Sequence, residues 1–127
     1  MSKITLGKTP KTFKPFPVKF PMPDGSEGTI LATFKYRTRT EFGAFLNQVF
    51  GDAGEQPPAD GKPNFEDLFE KTKDKNAEHL LLALDSWDVD ADLTLKSLQD
   101  LANEIPAASV ELMRAYNLAC TEGRLGN

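Results

Sequence analysis

The stretch FKPFPVKFPMPDGSEGTILATFKYR, residues 13–37, decides the fold of this chain. Its first ten residues put four large apolar side chains at even positions and three prolines at odd positions: Phe16, Val18, Phe20 and Met22, and Pro15, Pro17 and Pro21. Alternate residues of a strand share a face, and their N–H groups point to the same side. Because proline has no N–H to donate, such a strand must turn its prolines away from its neighbour. The pattern predicts an edge strand that is blocked on its outer side.

The rest of the stretch predicts a second strand that pairs with the first. PDGSEG, residues 23–28, is a strong turn signal, and the run after it alternates again, with Ile30, Ala32, Phe34 and Tyr36 on one face. Two such strands around a glycine-containing turn indicate an antiparallel β-hairpin with one apolar face. No proline blocks the outer edge of the second strand, so the sequence leaves this edge open for self-association with another copy.

A helix is predicted directly after the hairpin. Thr38 and Glu41 have the spacing of a capping box, in which each side chain accepts a hydrogen bond from the backbone N–H of the other residue. An apolar stripe at helical spacing follows and Gly51 ends it: Phe42, Phe45, Leu46, Val49 and Phe50. Residues 51–63 hold three glycines and three prolines, so we expect a mobile loop there.

The C-terminal half predicts three more helices. Asn64 can cap a second helix that carries Phe65, Leu68, Phe69, Leu80, Leu81 and Leu84, and its polar middle KTKDKN is expected to fray or interrupt it. A third carries Leu95, Leu98, Leu101, Ala102 and Ile105. Pro106 ends the third helix and can start a fourth, which ends near Gly123 and has as its inner face Val110, Met113, Tyr116 and Cys120. The sequence therefore predicts an α+β fold: a flexible basic arm at residues 1–12, then a single domain, 13–127, in which an N-terminal antiparallel β-hairpin packs against about four α-helices.

Length and composition limit the class of protein. A chain of 127 residues with 39% hydrophobic residues fits one domain with a single core. One cysteine, Cys120, allows no internal disulfide and suits a reducing compartment. The first residues contain no apolar segment typical of a secretory signal, and the longest apolar run, Leu80 to Leu84, is too short to span a bilayer. We therefore expect a soluble intracellular protein without a membrane partner.

The net charge of −4 is unevenly distributed. Residues 1–40 hold eight basic and two acidic side chains, whereas the remaining 87 residues hold seven basic and seventeen acidic ones. A basic end on an acidic body can attract nucleic acid, acidic proteins or the body of another copy. The basic residues are scattered lysines rather than an arginine cluster on a helix, so we expect no nucleic-acid partner.

DSWDVDADL, residues 85–93, suggests a calcium loop at first sight. Counted from Asp88, aspartates occupy positions 1, 3 and 5, but an EF-hand loop also needs glycine at position 6 and glutamate at position 12. The chain has Leu93 and Gln99 at these two positions. Asp92 or Thr94 can instead cap the third helix. Trp87 then packs the connector onto the core, or it is partly exposed and contacts a partner.

The residues that carry enzyme chemistry are sparse. Zinc sites need several histidine or cysteine ligands, and this chain has one of each, His79 and Cys120. His79 precedes LLLAL and is expected at the margin of the core, and Cys120 lies on an apolar helix stripe as a small buried residue would. Residues 51–63 lack the spacing of a phosphate-binding loop. The sequence predicts no catalytic residue, no cofactor and no metal.

The order of these features resembles the phage tail assembly chaperone family of long-tailed phages and prophages. The resemblance rests on Trp87 before a helix, the helix of LTLKSLQDLANEIP with Leu95, Leu98 and Leu101, Pro106 after it, and Tyr116 on the last helix. The hairpin-to-helix junction near Tyr36 and Glu41 also fits.

The resemblance implies a non-enzymatic protein of the host cytoplasm that is missing from the finished virion. It would bind the tape measure protein, keep its apolar helices soluble and help recruit tail tube subunits. Such a role needs an apolar groove with charge around its rim. The expected partner-binding residues, for which plain core packing is the competing role, are Phe65, Leu68, Phe69, Leu80, Leu84 and Trp87. The alternatives are a structural tail component retained in the virion, of connector or terminator type, and a nucleic-acid-associated regulator.

Overall fold

The computed structural model describes residues 4–122 and confirms the α+β class. Eight elements follow one another in this part of the chain: β1 (Phe16–Pro21), β2 (Glu27–Phe34), α1 (Arg39–Asp52), α2 (Phe65–Lys71), α3 (Asn76–Ala83), β3 (Leu84–Trp87), α4 (Leu95–Glu104) and α5 (Pro106–Glu122). The helices number five within these residues, because the predicted second helix is interrupted in its polar middle and forms both α2 and α3.

β1 and β2 form the predicted antiparallel hairpin. Val18 pairs with Ile30 and Phe20 pairs with Gly28, and the apolar side chains of both strands lie on one buried face. A Cβ atom on Gly28 would lie 2.7 Å from Cε2 of Phe20 and 2.6 Å from Sδ of Met22, so a larger residue here would force these two side chains to shift. The sheet order is β1-β2-β3. β1 is therefore an edge strand, as its prolines predict.

The sequence analysis did not predict the third strand, β3. Leu84 was predicted on a helix because it follows Leu80 at helical spacing, but α3 ends at Ala83 and Leu84 begins β3. β3 pairs antiparallel with β2 through Ala32 with Trp87 and Phe34 with Leu84. The sequence analysis predicted that the outer edge of β2 is open to a second copy, but β3 of the same chain pairs with this edge. The prediction of self-association through the edge of β2 is therefore wrong.

Side-chain hydrogen bonds cap the starts of α1 and α2. Thr38 Oγ1 accepts from the N–H of Glu41 at 3.2 Å and Glu41 Oε1 accepts from the N–H of Thr38 at 2.8 Å, which confirms the capping box. Asn64 caps α2. Between α2 and α3, Thr72 donates to Asn76 Oδ1 at 2.9 Å, and Asn76 Nδ2 donates to the carbonyl of Phe69 at 3.0 Å. This buried polar link holds the two short helices at a fixed angle.

The end of the predicted arm pairs with the strand that continues β2. Thr12 bridges to Lys35, and Tyr36 N donates to the carbonyl of Lys11 at 3.0 Å. Residues 4–10 before this point are exposed. Lys11 and Thr12 are thus attached to the domain, and the arm that extends beyond it comprises residues 4–10 of the described part.

The core lies between the inner face of the sheet and the helices α1, α3 and α5. Its largest buried side chain is Tyr116, which contacts Phe34, Phe42 and Phe45. On α5, Met113 and Tyr116 are buried as predicted, but Val110 and Cys120 are only partly buried. The buried face of this helix also includes Ala108, Ser109, Leu112, Ala115 and Ala119. Within residues 4–122, no helix combines the length and apolar character that a membrane span requires.

Candidate partner-binding groove

A groove of about 920 Å³ lies between α2, α4 and α5, with Pro21 of β1 and the start of α3 closing its sides. We call it the α2–α4–α5 groove. Its apolar lining consists mostly of short side chains: Phe69, Ala77, Ala102, Pro106, Ala107 and Val110. This volume is within the range of protein clefts that bind ligands, about 300–1,000 Å³. Short lining side chains leave this space for larger apolar side chains of a partner.

The rim of the groove is acidic. Four carboxylates line it against two cations: Glu66, Glu70, Asp74 and Glu111, with Lys73 and Arg114. Lys73 pairs with Glu70 at 2.9 Å, and this hydrogen bond raises the pKa of the Lys73 ammonium. Arg114 pairs with Glu111 on its own helix and lies 3.7 Å from Glu66 on α2. Asp74 forms no ion pair with any other residue of the described range.

Polar side chains without a hydrogen-bond partner occur along one wall of the groove and in its buried lining. Gln99 and Asn103 of α4 are exposed along one wall, and their amides form no hydrogen bond within residues 4–122. Ser109 of α5 is only 1% exposed, and its hydroxyl has no hydrogen-bond partner in this range. A buried hydroxyl without a partner costs free energy. The packing under the groove is therefore not optimised for the stability of the free chain.

One of the predicted contact residues, Phe69, lines this groove. The other four apolar residues are buried in the core and do not line it: Phe65, Leu68, Leu80 and Leu84. In this conformation only Phe69 borders the groove, so a direct contact of the other four with a partner stays a prediction. The groove was not predicted from the sequence, because the alanine and amide side chains that line it on α4 and α5 form no apolar stripe.

Trp87 lies at the edge of the core, half-buried. It pairs with Ala32 in the sheet, and its Nε1 donates to the carbonyl of Ala91 at 2.8 Å. The side chain thereby fixes the connector on the core, as one of the two sequence interpretations expected. A direct contact with a partner stays a prediction.

One aspartate side chain of DSWDVDADL, that of Asp88, has a structural role, and Thr94 rather than Asp92 caps the helix that follows. Asp88 Oδ1 accepts from the N–H of Leu31 at 2.8 Å and so continues the cover of the β2 edge where β3 ends. Thr94 caps α4 by accepting from the N–H of Ser97 at 3.1 Å, and Ser97 Oγ donates to the carbonyl of Asp92 at 2.7 Å. Within residues 4–122, no three histidine, cysteine or acidic side chains are arranged to hold a metal ion.

The two residues that could act as base and nucleophile, His79 and Cys120, do not line the groove. His79 is fully buried rather than at the core margin, and its Nε2 lies 2.7 Å from Asp52 Oδ2. This hydrogen bond lowers the pKa of the Asp52 carboxyl. Burial raises the pKa of the Cys120 thiol to about 11. Because the thiolate is the reactive form, Cys120 is a poor nucleophile at neutral pH.

Comparison with known proteins gives one result. A family model described as phage tail assembly chaperone matches residues 1–127, the whole chain. No curated protein and no solved structure matches the chain.

Proposed function

The chain belongs to the phage tail assembly chaperone family, and from this premise we propose that it binds the tape measure protein in the host cytoplasm, keeps its apolar helices soluble and helps recruit tail tube subunits. The match of the family model over all 127 residues is the observation that carries the proposal. The protein acts by binding, without catalysis, and leaves the assembly before the virion is complete.

The α2–α4–α5 groove supports this role physically. Amphipathic helices bind to other proteins by laying their apolar face into a groove. The groove has an apolar lining of short side chains and a charged rim, which suits the apolar face of a helix and keeps the complex soluble. Phe69 contacts the bound helix, and Phe65, Leu68, Leu80 and Leu84 support the groove from the core. Trp87 provides a second contact at the connector.

The state of the candidate reactive groups supports a non-enzymatic role. The Cys120 thiol is protonated at neutral pH because of burial, and Nε2 of His79 contacts Asp52. Neither group lines the groove. A binding role uses the groove as it is, whereas a catalytic role would need reactive groups that point into it.

Co-expression with the tape measure protein of the same phage tests the proposal. Ala102→Trp fills the groove from α4, and we expect it to return the tape measure protein to the insoluble fraction. Ala44→Trp is the matched control, since Ala44 is exposed on α1 and does not line the groove. Circular dichroism must show that both variants are folded. If the folded Ala102→Trp variant solubilises its partner as well as the wild type does, the groove is not the binding site.

Mass spectrometry of purified virions tests the chaperone role itself. A chaperone is expected to be missing from virions while its tape measure partner is detected. Recovery of the chain in amounts comparable to tail proteins would favour the alternative, a structural tail component.

A further inference from the structure

Two faces of α4 differ in composition. Leu98 is fully buried in the core, whereas Gln99, Ala102 and Asn103 line the α2–α4–α5 groove. Residues 99 and 103 are four positions apart and are therefore neighbours on one helix face. We propose that Gln99 and Asn103 determine the specificity of the groove: they select an amphipathic partner helix that carries an asparagine or glutamine within its apolar face and a lysine or arginine beside it. This inference rests on the proposed function, because it names the kind of tape measure segment that the groove binds.

Three helices contribute to the groove with the same residue spacing. On each of them, residues at positions i, i+3 and i+4 belong to the lining, which is the spacing of one helix face. Helices pack by fitting the side-chain ridge of one into the space between the side chains of others. A groove that is walled by three helix faces therefore fits a further helix better than an extended segment. The lining residues are Glu66, Phe69 and Glu70 on α2, Gln99, Ala102 and Asn103 on α4, and Ala107, Val110 and Glu111 on α5.

The two amides of α4 have unused hydrogen-bonding groups. Both side chains are exposed, and neither forms a hydrogen bond within residues 4–122, so water hydrates them in the free chain. A docked helix displaces this water, and a polar group that is buried without a new partner costs free energy. A helix face that is entirely apolar would leave both amides unpaired. The groove therefore discriminates against such a face.

An amide on the bound helix matches Gln99 and Asn103 best. Each of these two side chains has two N–H donors and one carbonyl acceptor, and a third amide supplies both kinds of partner. An ammonium or guanidinium group only donates, so the N–H groups of Gln99 and Asn103 would stay unpaired. A carboxylate only accepts, and the acidic rim repels it. A hydroxyl donates a single hydrogen bond and therefore satisfies only one of the two carbonyls.

The charge of the rim favours a basic flank on the bound helix. Asp74 lines the groove and forms no ion pair with any other residue of the described range. A lysine or arginine beside the apolar face pairs with Asp74 without displacing an existing ion pair. Because the rim has four carboxylates and two cations, attraction also acts on basic residues that do not touch Asp74, and salt weakens it.

Two synthetic peptides test the role of the amides. Both are amphipathic helices of about 18 residues with an apolar leucine face and flanking lysines. They differ at one central position of the apolar face, which is asparagine in one peptide and the similarly shaped leucine in the other. Fluorescence anisotropy measures the affinity of each peptide for the wild-type chain and for the variant with Gln99→Ala and Asn103→Ala. We expect the ratio of the two affinities to shift about tenfold toward the leucine peptide in this variant.

A matched pair of substitutions controls for the loss of two amides. Asn47→Ala with Gln48→Ala makes the same replacements at two exposed residues of α1 outside the groove, and the affinity ratio should stay that of the wild type. Circular dichroism must show that both variants are folded. The inference is refuted by the same ratio in the wild type and the groove variant, by an equal shift in the control, or by a wild type that binds neither peptide.

A third peptide tests the basic flank. It is the asparagine peptide with its lysines replaced by glutamates, and we expect its affinity for the wild-type chain at low salt to be about tenfold lower. Raising the salt concentration should reduce this difference. Equal affinities of the two peptides at low salt would show that the groove does not select a basic flank.

Failure of this inference is separable from failure of the proposed function. A wild type that solubilises the tape measure protein but does not distinguish the asparagine and leucine peptides through Gln99 and Asn103 would refute the amide selection alone. A wild type that distinguishes the peptides but leaves the tape measure protein insoluble on co-expression would refute the tape measure role alone.

Discussion

Tyr116→Phe removes one hydroxyl from the centre of the fold and leaves the ring in place. The ring centroid lies 5.3 Å from that of Phe34 and 5.5 Å from those of Phe42 and Phe45. Phenylalanine keeps these aromatic contacts. The change in the free energy of unfolding therefore reports on the hydroxyl alone.

The hydroxyl of Tyr116 connects α5 with the segment between β2 and α1. It accepts from Arg37 Nη1 at 2.6 Å and donates to the carbonyl of Lys35 at 3.0 Å, so α5 is tied to the segment between β2 and α1. A neutral hydrogen bond contributes about 1 kcal/mol and one to a charged group about 1.5–3 kcal/mol. Arg37 is half-buried and also donates to the carbonyl of Leu82 at 2.9 Å. We therefore expect the hydrogen bond from Arg37 to the hydroxyl to contribute an energy at the low end of the range for charged groups. We expect Tyr116→Phe to lower the free energy of unfolding by about 2–3 kcal/mol.

Urea denaturation followed by circular dichroism measures this loss. Tyr36→Phe is the matched control, because Tyr36 is half-buried and its hydroxyl forms no hydrogen bond within residues 4–122; its effect should be within about 0.5 kcal/mol. A double-mutant cycle with Arg37→Met should give a coupling energy of about 1 kcal/mol or more. A loss below about 0.5 kcal/mol for Tyr116→Phe, or additive effects in the cycle, would refute the idea that this hydroxyl joins the elements.

Four further substitutions are expected to change stability, some upward and some downward. Gly28→Ala should lower stability by about 1–3 kcal/mol because its Cβ meets Met22, whereas Gly43→Ala on the exposed face of α1, with open space around it, should raise stability by up to about 1 kcal/mol in the same urea assay. Ser109→Ala should stabilise the free chain by about 1 kcal/mol because it removes a buried hydroxyl without a partner; a lower melting temperature would contradict this. The pKa of the Cys120 thiol rises on folding from 9.0 to about 11. The thiol therefore contributes stability below pH 9, and this contribution is lost as the pH rises toward 11. Cys120→Ala should make the free energy of unfolding fall less steeply between these pH values, and an unchanged slope would contradict the raised pKa of this thiol.

Local patterns predicted the elements whose signals lie within a few residues. The prolines of β1, the capping box at Thr38 and the start of α5 at Pro106 each follow from one residue type at one spacing, and each is confirmed. β3 could not be predicted, because Leu84 continues the helical spacing of Leu80 and only the bare edge of β2 favours a strand there.

The groove could not be predicted for a related reason. Sequence patterns reveal where large apolar side chains pack, but a groove is a place where they are missing. Ala102 and Ala107 are ordinary helix residues in isolation, and here they line an unfilled space together with Phe69. Of the predicted partner-binding residues only Phe69 lines the groove, and the partner-binding role of each stays a prediction.

The two edges of the sheet bear on how this protein can recognise a partner. An open strand edge can pair with any extended segment through backbone hydrogen bonds. β1 carries Pro17 and Pro21 on its outer side, and β3 is only four residues long and continues into an acidic connector. Beyond the end of β3, the Asp88 carboxylate accepts a hydrogen bond from the N–H of Leu31, the next group on this edge of β2. Extended pairing is therefore disfavoured at both edges, so the proposed binding in the α2–α4–α5 groove would select a segment by its apolar face and its charge and not by backbone hydrogen bonds.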